Sequence, residues 1–183
     1  MFRRMSVWGL SGSLHGNFGL LAEAVMLNED YKDILQLFAD SEVNYLVVGA
    51  YALGAYGLPR ATGDIDLWVL ADNDNSRKIY NCLAKFGSPM GQIDEQTFAE
   101  QGIIFQIGVA PRRIDIITKI DGVDFKQAYS RRKKIMIEGI EVFFISREDL
   151  LINKQATGRE KDRLDVEQLR GNKGVKNEPP PQG

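Results

Sequence analysis

Two aspartates, one residue apart, lie inside a strongly apolar segment of this chain. Residues 64–70 read DIDLWVL, which is typical of a buried strand. Side chains two residues apart in a strand point to the same face, so Asp64 and Asp66 project together while Ile65 and Leu67 face the core. Two carboxylates this close repel each other unless a cation lies between them. The pattern therefore predicts a cation site, for which Mg²⁺ is the usual hard divalent ion.

A third acidic residue occurs in a similar setting. Asp115 lies between Ile114 and Ile116 in the segment RIDIIT, which also favours a strand. If the two strands are neighbours, three carboxylates converge, and such a cluster can hold two metal ions that clamp a phosphate during in-line displacement. The alternative is structural, because isolated ion pairs are common and Asp115 has Arg112 and Arg113 close by in the sequence.

A glycine ends the apolar segment that precedes the aspartates. A strand that ends at Gly49 and turns into a helix would expose backbone N–H groups to an anion, and the small side chain of Ala50 would let a phosphate approach. Arg60 and Thr62, in the loop before the aspartates, are candidates for further phosphate contacts. The alternatives are a plain turn glycine, a surface arginine and a threonine that caps a turn.

The length and composition indicate one domain that can bury a real core. With 183 residues, of which 44% are hydrophobic, we expect a domain at 28–170, a leader or N-terminal extension at 1–27 and a disordered tail at 171–183. The net charge of -2 excludes a generally basic nucleic-acid coat protein. A single cysteine, Cys82, and a single histidine, His15, exclude an internal disulfide and a multi-histidine metal site. A reducing, cytoplasmic location is expected, and no apolar run is long enough to cross a membrane.

Hydrophobic periodicity predicts an α/β (α+β) architecture, in which a mixed sheet is backed by helices. The predicted order of elements is α-β-α-β-α-(α)-β-β-β-β-α-α. The predicted helices are one over 29–40, one that begins directly after residue 49, one that ends at residue 86, a short one within 88–102, one over 146–158 and one over 160–170. The predicted strands lie over 44–49, 64–70, 103–109 and 113–119, followed by a hairpin around residues 138 and 139.

Together these segments resemble the nucleotidyltransferase superfamily related to DNA polymerase β. The shared pattern is VGA, thirteen intervening residues, DID and then an aspartate in a later strand. The stretches YLVVGAYALGAYGLPRATGDIDLWV, GVDFKQAY and EDLLINKQATGREKDRLDVEQL are also similar to a subgroup of small, stand-alone bacterial members. That subgroup is similar to the transferases of abortive-infection and toxin–antitoxin systems. The resemblance covers roughly residues 28–169.

The resemblance implies a nucleotidyltransferase fold and a metal-dependent transfer reaction. A nucleoside monophosphate would move from a nucleoside triphosphate to a hydroxyl of an RNA, a protein or a small molecule, with release of pyrophosphate. Asp64, Asp66 and Asp115 would bind two Mg²⁺ ions, with Mn²⁺ as an alternative, and Gly49 and Ala50 would hold the triphosphate. The subgroup further implies a toxin–antitoxin component with a cognate antitoxin or toxin protein as its partner.

The C-terminal block adds candidate phosphate ligands. Lys154 shares a helical face with leucines, and a lysine on an apolar face either reaches out to water or points into a cleft. In related transferases a lysine here meets the nucleotide phosphates, so the resemblance gives that role to Lys154, with Arg159 and Lys161 as weaker candidates. Asp162 and Asp165 fall on one face of the last helix, where they would orient the basic residues instead of binding metal.

One departure from the family pattern keeps a second function open. The family usually has Gly or Ser where this chain has Ala50, and alanine supplies neither a hydroxyl contact nor the freedom of glycine. The alternative is a catalytically degenerate transferase fold that acts as a nucleotide- or protein-binding partner. A phosphatase with an Asp-x-Asp nucleophile ranks last, because that motif continues into Gly-Thr and this chain has Leu67 and Trp68 there.

Overall fold

A computed structural model describes residues 27–171 of the chain. The predicted leader and tail lie outside this range, apart from their residues 27 and 171. The helices are α1 (Glu29–Asp40), α2 (Gly49–Gly54), α3 (Asn73–Phe86), α4 (Phe125–Ser130), α5 (Arg147–Thr157) and α6 (Glu160–Gly171), with short 3₁₀ turns at Met90–Gln92 and Thr97–Ala99. The strands are β1 (Tyr45–Val48), β2 (Asp64–Val69), β3 (Ile104–Ile107), β4 (Arg113–Ile117), β5 (Lys133–Ile137) and β6 (Ile140–Phe144).

The strands form a mixed sheet, as predicted. Its order is β3-β4-β2-β1-β6-β5. Strand β2 runs parallel to β4, and β1 runs parallel to β6, while the remaining neighbours are antiparallel. The predicted hairpin joins β5 to β6 through Glu138 and Gly139, both of which have positive φ. Strand β2 therefore lies inside the sheet, next to β4, and the fold class predicted from the sequence is confirmed.

The register of the inner strands decides which side chains meet. Asp66 is paired with Asp115 across β2 and β4, and Gln106 is paired with Asp115 across β3 and β4. Register partners on neighbouring strands project from the same face of a sheet. The opposite face of β2 carries Ile65 and Leu67, which are fully buried as predicted.

Side-chain caps and a left-handed glycine set several helix ends. The Asn28 side chain accepts a hydrogen bond from the Tyr31 N–H at 3.0 Å and begins α1, and Ser146 accepts one from the Asp149 N–H at 3.1 Å and begins α5. Gly87 has a φ of 84° and ends α3. These residue types are typical of helix ends because they satisfy the unpaired backbone groups there.

The helix α4 was not predicted, and its omission is an error in the predicted order of elements. Phe125–Ser130 is only six residues long, too short to show helical periodicity. Asp124 begins it by accepting a hydrogen bond from the Gln127 N–H at 3.0 Å. Its Phe125 ring packs edge-on against Trp68 with the ring centres 4.9 Å apart. Because Trp68 lies on the same face of β2 as the aspartates, α4 covers the apolar end of that face.

The core is one hydrophobic cluster that joins α1, α3 and the inner strands. Within residues 27–171, no helix combines the length and the hydrophobicity that crossing a bilayer would require.

Candidate active site

All the residues predicted for the site line one cleft. The cleft has a volume of about 710 Å³, within the range of roughly 300–1,000 Å³ that is usual for ligand pockets. Its walls come from the start of α2, the loop before β2, strands β2 to β4, and helices α5 and α6. The predicted residues in its lining are Gly49, Ala50, Arg60, Thr62, Asp64, Asp66, Asp115, Lys154 and Arg159. Their roles in binding and catalysis stay predictions.

The three aspartates converge on one face of the sheet. Asp64 and Asp66 project together from β2, and Asp115 is the register partner of Asp66 on β4. Asp115 is buried, with 6% of its surface exposed. Burial, followed by the charges of Asp64 and Asp115, raises the pKa of Asp66 to about 6. The raised pKa means that this cluster holds its negative charge at a cost that a further cation would lower.

An arginine lies between two of these carboxylates. The Arg113 Nε donates to Asp115 Oδ1 at 2.8 Å, and its Nη2 donates both to Asp115 Oδ2 at 3.1 Å and to Asp64 Oδ2. The hydrogen bond to Asp115 raises the pKa of Arg113, and burial opposes this increase only in part. The structural alternative for Asp115, an ion pair with Arg113, is therefore present in the structure, whereas Arg112 pairs with Asp30 at 3.6 Å.

Two uncharged side chains complete the hydrogen bonding of the aspartates. The Thr62 hydroxyl donates to Asp64 Oδ1 at 2.6 Å, and the Gln106 amide donates to Asp115 Oδ2 at 3.1 Å. Thr62 was predicted to lie near the site as a phosphate contact or a turn cap, and here it contacts the aspartate two residues later. Gln106 was missed, although the alternation of exposed and buried residues in β3 places it on the same face as Asp115.

Gly49 leaves room for a carboxylate. Its φ is 66°, and a Cβ built on it would lie 2.0 Å from Asp66 Oδ2, which is far inside van der Waals contact. The neighbouring Ala50 is buried, with 7% of its surface exposed. Glycine is therefore needed at residue 49 both for the backbone conformation and for the close approach of Asp66.

The basic wall of the cleft is built on acidic supports. Lys154 is 4% exposed, and its Nζ lies 2.7 Å from Asp162 Oδ1 and 2.9 Å from Asp165 Oδ2. Arg159 Nε donates to Asp162 at 2.6 Å, and Arg60 Nη1 lies 3.6 Å from Asp165. The two acids thus orient the basic residues, as predicted, and Lys154 is buried and does not reach out to water.

The hydrogen bonds around Asp162 outweigh its burial. Burial alone would raise the pKa of this carboxyl, but hydrogen bonds from Lys154, Thr157 and Arg159 lower it to about 2. Asp162 is fully buried, and the Thr157 hydroxyl contacts it at 2.7 Å. Lys154 and Asp162 therefore form a charged pair inside the protein, and the position of the lysine is set before any ligand binds.

The acidic face provides ligands for a hard divalent ion, but the Arg113 guanidinium lies between two of them. Three carboxylates from neighbouring strands provide oxygen donors of the type that Mg²⁺ and Mn²⁺ prefer, and Arg113 shows that two of them already bind a cation. In the part of the chain from residue 27 to residue 171, no three acidic, histidine or cysteine side chains stand close enough for a ready-made metal site. The guanidinium occupies the space between Asp64 and Asp115.

Comparisons with known proteins address the family of this fold. A search of curated proteins finds no significant match. One similar solved structure is a protein from Thermotoga maritima provisionally described as a nucleotidyltransferase, at 16% identity and a TM-score of 0.49 over 80% of this chain and 94% of that one. Another is an antigenic nucleotidyltransferase-like protein from Paracoccidioides brasiliensis, at 16% identity and a TM-score of 0.44 over 82% of this chain and 74% of that one.

A family match covers most of the chain. The family described as "Nucleotidyltransferase of unknown function (DUF6036)" matches residues 25–172. This range contains all the residues of the cleft and every helix and strand given above. The chain therefore belongs to this family of nucleotidyltransferases.

Proposed function

We propose that the chain is a metal-dependent enzyme that moves a nucleoside monophosphate from a nucleoside triphosphate to a hydroxyl group, with release of pyrophosphate. The observation that carries this proposal is the convergence of Asp64, Asp66 and Asp115 on one sheet face, beside Gly49 and opposite a basic wall. Family membership supports nucleotidyl transfer in general. The acceptor would be an RNA, a protein or a small molecule.

The three aspartates would hold the metal together, and Asp115 would have a further role. Asp64, Asp66 and Asp115 would hold Mg²⁺, as two ions, or Mn²⁺. A bound divalent ion would supply charge neutralisation at the reacting phosphate and at the leaving pyrophosphate. Asp115 is the most buried residue of β4 on this face, and it would lie near the attacking hydroxyl.

The basic wall would receive the triphosphate. Lys154 is fixed by its acidic partners, so it would contribute a preorganised positive charge beside the phosphates. Arg60 and Arg159 are more exposed, and their planar guanidinium groups suit phosphate oxygens. The backbone at Gly49 and Ala50 would lie against the same phosphates, because both residues line the cleft next to Asp66.

Nucleotide binding tests this assignment. Binding of α-labelled ATP, GTP, CTP and UTP is measured with Mg²⁺ and with EDTA. We expect Mg²⁺-dependent binding that is lost in Asp66→Asn and kept in Asp33→Asn, a matched change on the exposed surface of α1. Equal binding by wild type and Asp66→Asn would contradict the metal assignment.

A second candidate is a degenerate transferase that binds nucleotide or a partner protein without turnover. Two observations favour it: Ala50 stands where the family usually has Gly or Ser, and Arg113 already satisfies two of the three carboxylates. The two candidates differ in one result. Transfer of label from any triphosphate to RNA or protein would remove the degenerate alternative.

The cellular role that we propose, a cytoplasmic toxin–antitoxin component with a cognate protein partner, depends on the resemblance of the sequence alone. Expression of wild type and Asp64→Ala in a bacterial host tests it. Growth arrest by wild type and not by Asp64→Ala would support a toxin. Equal growth of both strains, with and without the product of the adjacent gene, would contradict it.

A further inference from the structure

The Arg113 guanidinium uses the oxygens that a metal ion would need. Both carboxylate oxygens of Asp115 accept from Arg113, at 2.8 and 3.1 Å, and one oxygen of Asp64 accepts from the same guanidinium. The other Asp64 oxygen accepts from Thr62 at 2.6 Å, and Gln106 adds a second donor to Asp115. Hydrogen-bond donors of the protein therefore hold all four oxygens of these two aspartates.

The position of Arg113 follows from the strand itself. Arg113 and Asp115 are two residues apart in β4, and Arg113 is the register partner of Asp64 on β2. All three side chains thus project from one face. Both residues line the cleft, but the side chain of Arg113 is 32% exposed and that of Asp115 only 8%, so the guanidinium is the more accessible of the two partners.

We propose that Arg113 is the resident counterion of the acidic site and must leave Asp64 and Asp115 before a divalent cation can bind there. The inference rests on the metal dependence in the proposed function. A guanidinium and a divalent ion cannot share the same carboxylate lone pairs, and two such charges at one place repel. Metal binding is consequently an exchange of cations, and Arg113 lowers the apparent affinity of the site.

The contacts of Arg113 also explain how the metal-free site tolerates three carboxylates. Three carboxylates on one face would repel each other without a cation. The Arg113 guanidinium donates hydrogen bonds to Asp64 and Asp115 and none to Asp66. Arg113 therefore stabilises the metal-free protein and weakens metal binding through the same contacts.

Mn²⁺ binding measured by electron paramagnetic resonance tests the exchange. The proteins are wild type, Arg113→Gln and, as the matched control, Arg112→Gln, whose side chain is 63% exposed and pairs with Asp30 on α1. Because one nearby charge changes the proton affinity of a carboxyl group by about tenfold or more, we expect Arg113→Gln to bind Mn²⁺ at least about tenfold more tightly. Arg112→Gln should match wild type.

The outcomes separate this inference from the proposed function. Equal or weaker Mn²⁺ binding by Arg113→Gln, with clear binding by wild type, overturns the exchange and leaves the metal site standing. Absence of binding in all three proteins overturns both.

A measurement on wild type covers the case in which Arg113→Gln does not fold. The Nε–H resonance of Arg113, assigned by its absence in Arg113→Lys, is followed by NMR during a Mg²⁺ titration. We expect the chemical shift of this resonance to change from that of a carboxylate-bound guanidinium to that of a free guanidinium as Mg²⁺ saturates the site. A resonance that stays in place while Mg²⁺ binds overturns the exchange.

Discussion

Gly49→Ala tests how closely the acidic site is built against the backbone. Gly49 has a φ of 66°, and a Cβ there would lie 2.0 Å from Asp66 Oδ2, 3.0 Å from its Cγ and 3.4 Å from its Cβ. Asp66 is short and is anchored in β2, so its carboxylate can escape the added methyl group only by leaving its place in the cluster. The substitution should therefore both strain the backbone and displace Asp66.

The expected loss in the free energy of unfolding of Gly49→Ala has two parts. A non-glycine residue in the left-handed region costs about 1–2 kcal/mol, and overpacking a well-filled site costs about 1–3 kcal/mol. Gly49→Ala should thus lower the free energy of unfolding by about 2–5 kcal/mol. Gly87→Ala is the matched control, because Gly87 has a φ of 84° and no atom within 4 Å of an added Cβ. Gly87→Ala should lose only the free energy that corresponds to the strained backbone conformation.

Urea unfolding of four variants separates the two parts. Gly49→Ala is measured alone and with Asp66→Ala, and Gly87→Ala is measured in the same two backgrounds. We expect Asp66→Ala to reduce the cost of Gly49→Ala to that of Gly87→Ala, which corresponds to a coupling energy of about 1–3 kcal/mol. Equal costs for the two glycines in the wild-type background would refute the reasoning.

Three further predictions concern charge and packing at the cleft. Asp66 has a folded pKa of about 6, above its usual value, so the folded state keeps a proton that the unfolded state has already lost. In EDTA, the free energy of unfolding should therefore fall, relative to that of Asp66→Asn, by up to about 3 kcal/mol as the pH rises from 4 to 6. Urea unfolding measures this, and a difference that does not change with pH would contradict it. Lys154→Met should lower the free energy of unfolding, measured by thermal denaturation, by about 3–5 kcal/mol, because it leaves Asp162 buried without its ammonium partner. A similar loss in the exposed control Lys161→Met would contradict this and indicate a general effect of charge. Ala50→Ser, which is nearly isosteric, should tighten Mg²⁺–nucleotide binding about tenfold through one added hydrogen bond, and unchanged binding would place the phosphates elsewhere.

Much of the acidic face could be predicted because strand periodicity is a local rule. A period of two places Asp64 and Asp66 on one face, and the same rule places Arg113 beside Asp115. The meeting of these two pairs requires that β2 and β4 be parallel neighbours in a defined register. That register depends on the packing of the whole sheet, so the sequence predicted it only through the family resemblance.

The basic wall shows where local reasoning stops. The face of Lys154 was predicted, but periodicity left open whether the lysine reaches water or points into the cleft. Its partner Asp162 lies eight residues later, on a separate helix, and the packing of α5 against α6 decides between the two. Likewise Gln106 contacts Asp115 across an antiparallel pair that no short-range pattern specifies.

The central claim is nucleotidyl transfer at the three-aspartate face, and label transfer measures it most directly. Protein, Mg²⁺ and each α-labelled triphosphate are incubated with RNA and protein from a bacterial extract, and labelled product and pyrophosphate are quantified together. We predict that wild type and Asp33→Asn form both in equal amounts, and that Asp66→Asn loses about a hundredfold or more of the rate. Undiminished transfer by Asp66→Asn, or no transfer by wild type from any of the four triphosphates, would contradict the claim.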